Sequence, residues 1–247
     1  IGVTLGVVST FRGEPSLRIS RQEIESLAAP FHQALVGRFS AGRPSMEVIR
    51  KFFVTLGLKG HCSVGLLDEK HVLIRPVVDD DYTRLFARRV WFIGKSPMSI
   101  SKWSIDFRSG QELSIAPVWV SFPGLPIPFF QRNQLMQLAS TLGHPLKLDA
   151  ATGDLRRPSA ARVLVEVDIS LPLAKRVWIR DEEYGFWQPV DFENIPPYCS
   201  FCSKFGHQQE SCFRRDPSLR PVKVGRASLK LQEVSAPVTS LDKGKAK

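Results

Sequence analysis

A chain of 247 residues, 43% hydrophobic and 23% charged, has the composition of a packed protein with room for one large or two small domains, which excludes a wholly disordered polypeptide. No run approaches the roughly 18 apolar residues of a membrane span, and the opening IGVTLGVVST lacks the basic flank and cleavage pattern of a signal peptide. No membrane partner is expected, and the expected location is nucleus or cytoplasm; because the chain starts at Ile1 rather than Met, an earlier segment is expected too.

Residues 1–33 show one marginal helix, near Ser20 to Leu27, and read as a partly disordered leader. From Ala34 the pattern sharpens. ALVGRF predicts a strand, after which Pro44 and Ser45 open a helix that places Met46, Ile49, Phe53 and Leu56 on one face and stops at Gly57. SVGLLD and HVLIRPV predict two strands around a turn at Asp68 to Lys70. Asp79 is a candidate cap for a second helix, DYTRLFARRV, striped by Tyr82, Leu85, Phe86 and Val90, and MSISKW predicts a closing strand. Strand, helix, strand, strand, helix, strand over 34–104 is the split βαβ order of ferredoxin-like and RNA-recognition-motif folds.

A polar connector, Ser104 to Ala116, leads into a second small α/β unit over 117–192. PVWVSF predicts a strand and PGLPIP a stiffened turn; Phe130, Leu135, Leu138 and Leu142 ride a helix that Gly143 stops. HPLKLD, ARVLVEVDI, KRVWIR and FWQPVDF predict further strands. Whether this unit packs on the first or extends its sheet is open at this level. The five tryptophans fall in or beside these strands and are expected in the core or an interface rather than in a base-stacking row.

Three of the four cysteines and one histidine then fall within CSFCSKFGHQQESC, residues 199–212. Random placement would give C-x2-C-x4-H-x4-C about twice in 100,000 such chains. Cys199, Cys202, His207 and Cys212 form the ligand set of a closed tetrahedral Zn²⁺ site, with no position left open for water, so one structural rather than catalytic zinc is expected in a knuckle over 195–213. A redox Cys-x-x-Cys would leave His207 and Cys212 unexplained.

Much of the formal charge of +10 follows the knuckle: residues 213–247 hold nine Lys/Arg against three acids. A basic tail over 214–247, expected to be disordered from its Pro, Ser and Lys content, suits a polyanion because each neutralised phosphate releases counterions. A solvated linker or a nuclear-import signal has the same composition. Phe201 and Phe205, the only aromatics between Cys199 and Cys212, can stack unpaired bases where exposed; where they fold back on the metal core, binding rests on Lys204, Arg214 and Arg215.

The phrases LVGRFSAGRPS, VWFIGKSPMSISKWSIDF, PVWVSFPGLPIPFF, HPLKLDAATGD, ARVLVEVDISLPL and IPPYCSFCSKFGHQQESC occur in an order that resembles a large plant family. Its members carry a domain of unknown function followed by a C-x2-C-x4-H-x4-C zinc knuckle, and many derive from the first open reading frame of LINE-type retrotransposons. The resemblance spans about residues 34–212 and implies an RNA-recognition-like fold and a nucleic-acid-binding, often RNA-packaging, role. Two departures qualify it. Ser200 and Ser203 stand where retroviral-type knuckles carry an aromatic and a glycine, and HVLIRPV lacks the aromatics with which RNA-recognition motifs read bases.

Asp79, Asp80 and Asp81 are better explained by a helix start than by catalysis, and His61 beside Cys62 has no identifiable orienting group. No phosphate-loop, dinucleotide, metalloprotease or nucleophile-elbow motif occurs. The expected function is therefore non-enzymatic, zinc-dependent binding of single-stranded RNA or DNA, with no small-molecule substrate. The alternative is a protein-interaction or self-association module in which the knuckle is a docking platform.

Overall fold

Two antiparallel sheets, each with its own helices, organise the computed structural model of the protein, which describes residues 6–40, 42–109 and 111–220. The leader is more regular than the sequence pattern predicts. Strands β1 (Val7–Phe11) and β2 (Glu14–Arg18) form a hairpin about Arg12 and Gly13, and α1 (Arg21–Ala28) follows with Ser20 and Glu23 closing a reciprocal capping box. The hairpin is illegible in sequence because β1 is exposed on both faces, leaving no apolar alternation to read.

The first sheet uses β3 (Leu35–Phe39), β4 (Cys62–Leu66), β5 (His71–Pro76), β6 (Val90–Ile93) and β7 (Ser96–Lys102) in the order β4-β5-β3-β7-β6. Between them run α2 (Met46–Thr55), whose first turn is capped by the Ser45 hydroxyl, and α3 (Asp79–Arg88). Strand β6 is an addition: the sequence reading ran its first residue, Val90, into α3 and assigned Trp91 to Ile93 to no element, but Arg89 adopts φ +59° and the chain turns back to pair with β7. Asp79 is not the helix cap. That position belongs to Val78, and the three acids clamp neighbouring segments instead. The buried Asp81 carboxylate accepts the backbone N–H groups of Lys59 and Gly60 at 3.0 and 2.8 Å, Asp80 pairs with Lys59, and Asp79 accepts from Gln33.

Period-two alternation gives this sheet two different faces. Leu35, Phe39, Val72, Ile74, Met98 and Ile100 point to Ile49 and Phe53 of α2 and to Leu85 and Phe86 of α3. Arg38, His71 and Arg75 lie on the opposite face, whose centre is covered by the chain itself while Ser63, Gly65 and Arg75 towards the β4 edge stay exposed. The Phe107 ring meets His71 at 5.7 Å, the Arg75 guanidinium lies 4.6 Å from the Phe31 ring, and Arg38 is paired to Glu112 of the connector.

The second sheet contains β8 (Ile115–Pro123), β9 (His144–Leu148), β10 (Ala160–Asp168) and a later strand, Asp191–Glu193, on its β8 edge. Val118, Val120, Phe122, Val163 and Val165 pack against Leu135 and Ala139 of α4 (Arg132–Ser140), and a single turn, α5 (Ala150–Gly153), precedes β10. Strands β11 (Arg176–Arg180) and β12 (Gly185–Pro189) form a separate hairpin before β13, the Asp191–Glu193 strand. The second unit therefore packs on the first without extending its sheet. Glu166, buried on the outer face of β10, accepts from the Tyr82 hydroxyl of α3 and pairs with Lys102 of β7. Burial beside that carboxylate pushes the Tyr82 hydroxyl well above its ordinary value. The two units thus share a polar tie that neither sheet makes alone.

Candidate metal centre

The knuckle begins where the chain leaves β13 through Pro196 and Pro197. Strands β14 (Tyr198–Cys199) and β15 (Lys204–Phe205) form a two-residue ladder, and Ser203 N–H donates to the Cys199 carbonyl at 2.9 Å, closing the tight turn that holds Cys199 and Cys202 together. Ser203 takes φ +53° and Gly206 φ +98°. The second value is free for glycine, whereas the first is a strained conformation for serine. Past Gly206, His207 swings back towards the turn, and a 3₁₀ turn over Gln209–Ser211 brings in Cys212.

The four ligand atoms lie within 4.8 Å of one another, with Cys202 Sγ and His207 Nε2 at 3.3 Å. A tetrahedron with bonds of about 2.3 Å to sulfur has edges of about 3.8 Å, so this spacing suits a common ion. All three cysteines are buried and form a small cluster of their own. Burial, then hydrogen bonding to Cys199 and Cys212, pushes the Cys202 thiol up to about 11. Burial also works to raise Cys212, but the backbone N–H groups of Arg215 and Arg214 and the His207 ring outweigh it and hold that thiol down to about 6. A divalent cation held among the four groups would let all three sulfurs ionise together. A Cys₃His group that can hold a metal ion is therefore present in the fold.

Glu112, which the sequence reading passed over in a polar connector, fixes the knuckle to the body. Its carboxylate is nearly buried, at 9% side-chain exposure; it accepts the Phe205 N–H at 2.8 Å and pairs with Arg38 of β3 at 2.9 Å. Its own N–H donates to the Ser203 carbonyl at 2.8 Å, and its carbonyl accepts the Tyr198 hydroxyl at 3.1 Å. Four bonds from one residue thus reach both strands of the knuckle, the turn between them and the first sheet. Nothing in a lone acid among serines and arginines signals this role.

The predicted nucleic-acid residues separate into two groups. Phe205 is enclosed: Tyr198 meets its ring edge-on at 5.1 Å, and the half-buried Arg89 guanidinium lies 4.4 Å from its centroid. Its ring is already engaged by the protein. Phe201 is 55% exposed, Arg214 and Arg215 are exposed, and Lys204 is half-buried. Burial, then the nearby Arg38 and Arg214 charges, lowers the Lys204 ammonium from its ordinary value, which shows how closely these cations gather. Phe213, directly after the last ligand, is 44% exposed and was missed because the motif ends at Cys212.

Among the tryptophans, Trp91 is buried as expected, but Trp178 and Trp187 on the β11–β12 hairpin are about half exposed. Most of the basic tail, from residue 221, lies outside the described residues. No helix among the described residues is long and apolar enough to cross a membrane.

The arrangement defines a mixed α+β protein with mainly antiparallel sheets and a Cys₃His cluster near the carboxyl end. A family described as a domain of unknown function, DUF4283, matches residues 27–111, which contain the whole first sheet and both its helices. No curated protein and no solved structure matches the chain.

Proposed function

We propose that the protein binds single-stranded nucleic acid through a zinc-dependent knuckle and carries out no chemistry of its own. The observation that carries the reading is a metal-ready Cys₃His cluster whose surface presents Phe201, Phe213, Arg214 and Arg215. Zinc is the ion the donor set favours: three thiolates and an imidazole in a closed tetrahedron suit Zn²⁺, and the ion's contribution is to fold the knuckle. Within that frame the chain's own residues do the binding. Exposed aromatics stack unpaired bases, guanidinium groups take the phosphates, and the basic residues after Cys212 add affinity that does not depend on sequence.

The strand order β4-β5-β3-β7 with two helices on one face supports reading the first unit as ferredoxin-like or RNA-recognition-motif-like, with β6 as an added edge. On this reading the centre of the face that such motifs use for RNA is occupied by the connector, through Phe107 and Glu112, and binding falls to the knuckle's outer surface. A plant protein related to LINE-type first-open-reading-frame proteins, located in nucleus or cytoplasm, fits the phrase order in the sequence.

The test pairs metal analysis with binding. Purified protein should hold about one zinc per chain, and Cys199→Ser should hold much less. Single-stranded oligonucleotides should bind the wild type with affinity that falls steeply as salt rises, and less tightly the Cys199→Ser variant and a chain ending at Cys212. Equal, negligible binding of oligonucleotide by all three would overturn the reading and favour a protein-docking role instead.

A further inference from the structure

The β11–β12 hairpin presents an outward face that no part of the described chain covers. Alternation turns Val177 and Ile179 into the second core, and the buried Gln188 amide donates to the Pro123 carbonyl at 2.8 Å, so the hairpin is anchored along its inner side. Arg176, Trp178 and Arg180 of β11 point the other way, with Trp187 of β12 directly opposite Trp178. Their indole centroids are 5.0 Å apart at 57°, and the rings remain 45% and 51% exposed. The Arg176 guanidinium lies 4.1 Å from the Trp187 centroid. Trp178 is held down over Gly185, where a Cβ would come within 2.3 Å of its ring. Gly185 therefore gives the indole a flat seat, and a side chain at that place would have to displace the ring.

The two indoles pack on each other across the hairpin, yet each leaves about half of its surface in water. The charged groups on the same strand face are Arg176 and Arg180 alone, while Asp181, Glu182 and Glu183 sit in the turn beyond it, where the Asp181 carboxylate accepts the N–H groups of Glu183 and Tyr184. A rigid pair of indoles flanked by guanidinium groups matches a ligand that is flat, aromatic and anionic by turns.

We infer that this hairpin is a second binding site for single-stranded nucleic acid, at which Trp178 and Trp187 stack unpaired bases and Arg176 and Arg180 take the adjoining phosphates. The inference rests on the proposed function and adds to it a site outside the knuckle, on a hairpin of the second unit. Duplex is excluded from this site because its bases are already stacked.

Full-length, zinc-loaded protein titrated with a fluorescein-labelled twelve-nucleotide oligouridine, at about 50 mM salt where phosphate contacts are strong, tests it. Trp178→Ala with Trp187→Ala should weaken binding by about tenfold or more, and Trp178→Phe with Trp187→Phe, which keeps stackable rings, should recover most of the loss. Arg176→Glu with Arg180→Glu, made on exposed side chains that leave the fold intact, should also weaken it severalfold. Wild-type affinity in the alanine or the charge-reversed variant overturns the inference and leaves the knuckle reading standing; it is also the result expected of a face that docks a protein. Equal losses in the alanine and phenylalanine variants overturn it as well, because packing rather than stacking would then be at work. No binding by the wild type overturns both readings.

Discussion

Glu112→Ala isolates what holds the knuckle against the body, because Glu112 is no metal ligand yet touches every part of the docking. The substitution keeps the two backbone bonds of residue 112 and removes both carboxylate bonds, leaving the Phe205 N–H without its acceptor and Arg38 without its counter-charge. Hydrogen bonds to charged groups contribute about 1.5 to 3 kcal/mol, and breaking a fully buried pair costs about 3 to 5. Arg38 keeps 28% side-chain exposure, so water recovers part of the loss, and the expected destabilisation is about 2 to 3 kcal/mol. For a protein of this length that corresponds to a fall in Tm of roughly 5 to 10 °C. Glu112→Gln keeps an acceptor for Phe205 and should cost about half as much. Denaturant unfolding with Glu112→Ala, Arg38→Ala and the double variant gives the coupling directly, expected at about 1 kcal/mol or more. Metal stoichiometry should stay that of the wild type throughout, while hydrogen exchange over 198–206 speeds up. A variant as stable as the wild type, or one that loses its metal, would refute this account of docking.

Replacing Ser203 by glycine removes a left-handed serine worth about 1 to 2 kcal/mol of strain and adds about 0.5 to 1 kcal/mol of unfolded-state entropy, so Ser203→Gly should raise stability by about 0.5 to 1 kcal/mol in denaturant titration. Acid should release the metal as thiolates and imidazole take up protons, with the β14–β15 knuckle unfolding before the Glu166-tied body; metal-sensitive dye release against pH, followed alongside the fluorescence of the five tryptophans, all of which precede the knuckle, reads the order. Asp68 supplies a separate pH term. Burial works to raise its carboxyl, but the Lys70 N–H and the side chains of His71 and Ser109 hold it down to about 2. A depressed carboxyl stabilises the fold above its unfolded value near 4 and loses that contribution as pH falls through about 2, so the stability gap between wild type and Asp68→Asn should be constant at pH 5 to 6 and narrow below pH 4.

What could be read from sequence was what leaves a periodic or chemical signature in neighbouring residues. Ile49 and Phe53 announce α2 by their spacing, alternating valines announce β10, and the ligand spacing announces the metal cluster. What stayed hidden depends on contacts between segments far apart in the chain. The bond from Glu112 to Phe205 spans 93 residues and that from Tyr82 to Glu166 spans 84, and neither acid differs locally from a surface acid. The same limit explains the aromatics. Phe201 and Phe205 are four residues apart in one knuckle and look equivalent, yet Phe205 is enclosed because Arg89, displaced by an unforeseen helix end, and Tyr198 close over it. Trp178 and Trp187 fail in the opposite sense: their strands were legible, but the second sheet already buries the other side of the hairpin, so alternation turns both indoles outward. Where sequence pattern did assign a residue to an element, the order in which elements cover one another still decided which aromatic surfaces remained available to a ligand.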